Sequence, residues 1–165
     1  MVSNLHSFVI CFLLALLLTG CNATDRPAVA EITLPPCVDI TAVDMGALTA
    51  ERHYEDMISC IKNQQFNKAS FHYAIAGVKT WHDYLASPGL VSKERHQSEL
   101  RKQLTRLSEQ QKRLFWDELN MVLRDEKRLY ELCSMIEISE SNKRSKILFD
   151  KAKTGYLHCE KEIMF

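Results

Sequence analysis

Glycine and proline are scarce in this chain, with five and four residues among 165. That scarcity argues against collagen-like, low-complexity and turn-dense β-sandwich architectures, and abundant Leu, Glu, Lys and Gln point instead to helices. An excess of one charge is also missing. Twenty-one basic and twenty-one acidic residues balance, which argues against a nucleic-acid partner, since that would favour a basic domain. No apolar run reaches the about 20 residues needed to span a membrane as a helix. Catalytic signatures are absent too: there is no Gly-rich phosphate loop, no nucleophile elbow and no His-Glu-x-x-His pattern. His72 and His82 share a helix at a poor interval for one metal. His53, His96 and His158 are isolated, and such histidines are normally solvated or at the core edge. No two cysteines have zinc-ligand spacing. No catalytic residue, metal or cofactor is therefore expected, and the chain is not expected to be an enzyme.

What is present begins with an apolar run from Phe8 to Leu18, of signal-peptide length, closed by Leu18-Thr19-Gly20-Cys21 and followed by polar Asn22, Thr24 and Asp25. This resembles the lipobox of a bacterial lipoprotein: a branched apolar residue, two small residues, then the cysteine that is acylated. The resemblance covers the first two dozen residues. It implies cleavage before Cys21, lipidation of Cys21 with palmitate-type chains, and a domain anchored in the cell envelope. Because Asn22 rather than Asp follows, the resemblance to enterobacterial sorting implies the outer membrane, facing the periplasm. The first seven residues depart from a basic n-region, carrying only His6. Cys11 lies inside the apolar core and is removed with it.

Removing residues 1–20 as a signal peptide leaves 145 residues, enough for one domain with a real core. Residues 21–47 read as a lipidated tether: Pro27 and Pro35-Pro36 break regular structure, with a short extended piece between Val29 and Leu34. Residues 48–165 read as a helical domain. Thr49 caps a first helix to about Asn63, with Met57, Cys60, Ile61 and His53 or Tyr54 inward. A second covers about Asn67–Leu85, burying Phe71, Ala74, Ile75, Val78, Trp81 and Leu85, and ends at Ser87-Pro88-Gly89. Ser92 is expected to cap a third, carrying Leu100, Leu104 and Leu107. Ser108-Glu109-Gln110-Gln111 has the capping-box form and should start a fourth that buries Phe115, Leu119 and Val122. Asp125 caps a fifth, with Leu129, Leu132, Cys133 and Ile136 inward. A loop at Ser139–Asn142 precedes a last helix from Lys143 toward Glu162, with Leu148, Ala152, Tyr156 and Cys159 on one face. The expectation is an all-α, single compact bundle of about six helices.

Phe66, Ala69, Tyr73 and Ala76 make the first pair similar to the second half of a tetratricopeptide-type repeat. The first half departs from that pattern, with Met57 and Cys60 where Gly and Tyr would stand. No second copy appears, and a solenoid needs about three, so the resemblance implies one helical hairpin.

Besides Cys21, four cysteines remain in the mature chain: Cys37, Cys60, Cys133 and Cys159. In an oxidising periplasm they are expected to form two disulfides rather than free buried thiols. If the last two helices form an antiparallel hairpin, Cys133 and Cys159 sit roughly 15 Å apart along it, too far for a bridge that needs Cα atoms within about 7 Å. The favoured pairing is Cys60–Cys133 with Cys37–Cys159, Cys37 and Cys60 being exchangeable as partners.

A helical, disulfide-stapled, membrane-tethered domain is expected to bind another periplasmic protein. It is similar in build to immunity proteins that neutralise envelope-acting toxins delivered by type VI or related secretion systems. The alternative is a structural or assembly factor of the cell envelope. The binding face is unknown from sequence. The hairpin Thr49–Leu85 is one candidate surface, and the basic cluster Lys143, Arg144, Lys146, Lys151 and Lys153 is the other.

Overall fold

The computed structural model describes residues 36–38, 48–136 and 143–159. By contacts the chain divides into Met1–Thr33 and Leu34–Phe165, and every described residue falls in the second unit. The signal peptide, Cys21, the Val29–Leu34 piece and the Ser139–Asn142 loop lie outside the described residues. So do Glu160 and Glu162.

The unit is all-α, with six helices and no strand among the described residues: α1 (Ala50–Lys62), α2 (Phe66–Ala86), α3 (Arg95–Leu104), α4 (Glu109–Arg124), α5 (Glu126–Met135) and α6 (Lys143–Leu157). None of them is long and apolar enough to cross a membrane. Local chemistry sets most of the boundaries. Thr49 accepts from Arg52 N–H, and Asp125 both ends α4 and caps α5 by accepting from Arg128 N–H at 3.0 Å. At α4 both halves of the capping box form: Gln111 N–H donates to the Ser108 hydroxyl (3.2 Å), and Ser108 N–H donates to the Gln111 side chain (2.9 Å).

Two boundaries differ from the sequence expectation. Ser92 caps a turn and not a helix: its hydroxyl accepts from Glu94 N–H and donates to the Glu94 carboxylate, so α3 starts only at Arg95 and has no side-chain cap. Leu107 consequently lies beyond α3, though still buried. The last helix stops at Leu157, well short of Glu162, because His158 adopts φ +57° and turns the chain.

Helix α1 packs most extensively on α2, forming the expected hairpin. Its joint is a Schellman turn, with Gln65 N–H donating to Cys60 C=O (2.9 Å) and Gln64 N–H to Ile61 C=O (3.0 Å). Gln64 takes the left-handed position, φ +59°, usually given to glycine. Helix α2 is central and contributes to two cores. The first joins Tyr54, Met57, Ile58, Cys60 and Ile61 of α1 to Ala69, Ala76, Leu100, Leu107, Phe115 and Leu119. The second joins Phe71, Ala74, Ile75 and Val78 to Val122, Leu132, Cys133, Ile136, Phe149, Ala152, Leu157 and Cys159. Trp81, Leu85, Leu129 and Tyr156 are only partly buried against it.

The disulfides overturn the favoured pairing. Cys37 is bonded to Cys60, with Cα atoms 4.4 Å apart, and Cys133 to Cys159, at 5.9 Å. The assumed hairpin of α5 and α6 does not form: α6 lies mainly along α2, and α5 mainly against α4. The C-terminal end of α5 meets the second half of α6 instead, where Lys153 Nζ donates to the carbonyls of Cys133 (3.3 Å) and Ile136 (3.4 Å). The turn at His158 then brings Cys159 to Cys133.

Candidate functional site

The described residues offer two places where side-chain chemistry concentrates. One is the outward face of α6. The helix turns Phe149, Ala152 and Leu157 inward, so the residues on the opposite side face solvent at helical spacing. Lys143, Arg144, Lys146 and Lys151 are exposed there, around Ile147, which is 47 % accessible. Ile147, Lys151, Thr154, Gly155 and Asp150 line a shallow open groove. The α6 sequence supplies a single acid, Asp150, for five cations. Lys153 departs from the expected basic cluster, since its ammonium is turned to the end of α5 and does not join that face.

The second place is buried and polar, and the sequence reading missed it. His53 and His72, one on each helix of the hairpin, are fully buried, with their Nδ1 atoms 3.2 Å apart. One Nδ1 donates and the other accepts. Burial holds His72 below the ordinary histidine value, partly offset by the Asp56 carboxylate. Asp56 is itself buried and paired with Arg52 at 3.1 Å. His53 is therefore not isolated.

His96 is not isolated either. Its Nδ1 lies 2.5 Å from the Tyr54 hydroxyl on α1, and its Nε2 lies 2.6 Å from the Tyr156 hydroxyl on α6. Tyr54 also reaches the Thr80 hydroxyl at 3.4 Å, and Thr80 donates to Ala76 C=O at 2.7 Å. Tyr73 stands edge-on to His96 and close to Tyr156, with ring centroids 5.4 and 6.3 Å away. Gly77 makes room for this cluster: a Cβ there would come within 2.1 Å of the Tyr156 ring. Burial pushes His96 down to about 4 and pushes the phenols of Tyr54, Tyr73 and Tyr156 upward. At neutral pH the imidazole is uncharged and all three phenols keep their protons. That favours a structural tie between helices over acid–base chemistry on a substrate.

Of the residues singled out from the sequence, the four cysteines are brought together in pairs, though in a different pairing. The hairpin forms, but nine of the thirteen residues of α1 are buried, Tyr54 among them, whereas the α6 cations other than Lys153 are exposed. Cys21 lies outside the described residues. Among the described residues, no group of three or more His, Cys, Asp or Glu is arranged to hold a metal ion. The buried network had two sequence signals: His53 and Tyr54 fall on the inward stripe of α1, and Tyr156 on that of α6. Contacts made by His72 and His96 depend on tertiary packing and left none.

No protein-family model matches the chain, and no curated protein or solved structure matches it.

Proposed function

We propose that this chain is a lipid-anchored binding protein of the bacterial envelope that captures a periplasmic protein with an acidic surface. Within that class, we propose an immunity-type role against a secreted, envelope-acting toxin. The outward face of α6 is the observation that carries this reading. It presents exposed cations around an apolar side chain on a helix with one acid, a pattern that complements an acidic protein. The lipobox-like Leu18–Cys21 supports the location.

Capture with the full lipidated chain from detergent-solubilised membranes should recover a partner whose binding weakens as salt rises. It should weaken further with Lys146→Glu and Lys151→Glu together. A strain deleted for the gene should be killed by sibling cells that keep their secretion systems. Equal survival of deleted and parent strains, with any toxin candidate encoded beside the gene confirmed active, would overturn the immunity role. Failure of the native protein to incorporate a palmitate analogue would overturn the anchor.

A further inference from the structure

His96 on α3 is tied to two other helices, one at each ring nitrogen: Nδ1 to the Tyr54 hydroxyl of α1 and Nε2 to the Tyr156 hydroxyl of α6. A neutral imidazole carries one hydrogen, so one nitrogen donates to its tyrosine and the other accepts from its tyrosine. Both bonds are made only while the ring is neutral and each phenol keeps its proton.

Adding a second proton breaks this arrangement. Both ring nitrogens would then donate, and the tyrosine that had donated to the ring would have to turn its hydrogen elsewhere inside a packed aromatic cluster. Few compensating charges are at hand. From α1, Glu51 is engaged by Arg95. From α2, Asp83 is shared between Arg95 (3.7 Å) and His82 (3.7 Å), and Tyr73 is neutral. On α3 itself, Glu99 pairs with Lys102 at 3.9 Å. From α6 the facing group is the neutral Tyr156, and from α4 the nearest rings are Phe115 and Trp116, beside Tyr73. The other ties of helix α3 are the buried Leu100 and Gln103, the partly buried Leu104 and the ion pairs of Arg95 to Glu51 and Asp83, and it lacks a side-chain cap.

We propose that His96 is an acid-sensitive latch: bonded at one nitrogen to α1 and at the other to α6, its neutral ring holds α3 on the bundle, and protonation releases α3 before the remaining helices open. The folded ring binds its proton more weakly than an exposed histidine. Acid therefore favours the open form through the window from the ordinary value of 6.5 down to about 4.

The test is amide hydrogen exchange on the full, oxidised chain. Between about pH 7.5 and pH 5, after correction for intrinsic rates, the opening constant of the Glu99–Leu104 amides should rise roughly thirtyfold. At the lower pH those amides should open more readily than those of α1 and α2. His96→Gln keeps a donor and an acceptor but does not titrate, so the rise should vanish. An equal rise in His96→Gln, or α3 opening only together with α1 and α2, would overturn the latch. Should that variant fail to fold, nitrogen-15 shifts of His96 in the native protein decide the matter. Titration of His96 coincident with α3 opening supports the latch, and titration of His96 without α3 opening overturns it.

Discussion

The two cores have matching parts and different chemistry. Each contains one disulfide, Cys37–Cys60 in the first and Cys133–Cys159 in the second. Each has a left-handed residue near its bridge, Gln64 and His158. Each has a buried phenylalanine at a helix–helix contact, Phe115 and Phe149. They differ in what else they bury. His53, Asp56, Ser59, Ser70, His72, Thr80 and Gln103 are buried on α1, α2 and α3, whereas α4, α5 and α6 bury no polar or charged side chain among the described residues. The first core is therefore specified partly by buried polar contacts, among them His53 with His72 and Tyr54 with His96. The second rests on shape and apolar burial. Acid should reach the first and spare the second.

The largest test of this contrast is truncation of the two phenylalanines. Phe115→Ala and Phe149→Ala should each cost about 4 kcal/mol in thermal or denaturant unfolding, from lost transfer and the cavity left behind. Exchange protection should fall first in α1, α3 and α4 for the former, and in α5 and α6 for the latter. Identical loss everywhere in both variants would show one cooperative core. Next come the bridges. They close loops of 23 and 26 residues, so in the chain-entropy model each contributes about 3.5 kcal/mol. Replacing Cys37 and Cys60 by Ala, or Cys133 and Cys159, should therefore lower stability almost equally. A large inequality, read from melting of the two double variants, would mean that one bridge acts through the native state. The smallest effect is at the left-handed positions. Gln64→Gly and His158→Gly should each stabilise by up to about 1 kcal/mol, because a side chain is strained there and glycine is not.

The parts of this arrangement written in short stretches were legible in the sequence. Thr49, Ser108 and Asp125 act as helix caps through partners three residues away, and the stripes through Met57, Phe71, Phe115 and Leu132 are inward as spaced. Ser92 misled because Glu94 takes its hydroxyl first. The Schellman turn carried no signal because Gln64 stands where glycine is usual. The disulfide pairing was hidden for a different reason. It depends on which helices become neighbours, and α6 chose α2 over the helix beside it in sequence. The α6 cations were visible as residues, but Lys153 pointing away from the others required the α5–α6 contact.

The bridge at Cys37 also decides how the domain takes a pull. Force applied to the chain ahead of residue 37 enters at Cys60, at the far end of α1, through a covalent bond. The 22 residues from Val38 to Ser59 are shunted out of the load path. A pull that would otherwise peel α1 from its first turn must instead drag the helix by its last turn, beside the joint with α2. Reduction would return the load to Thr49 and let α1 unzip turn by turn, so the oxidised and reduced domains should yield at different forces.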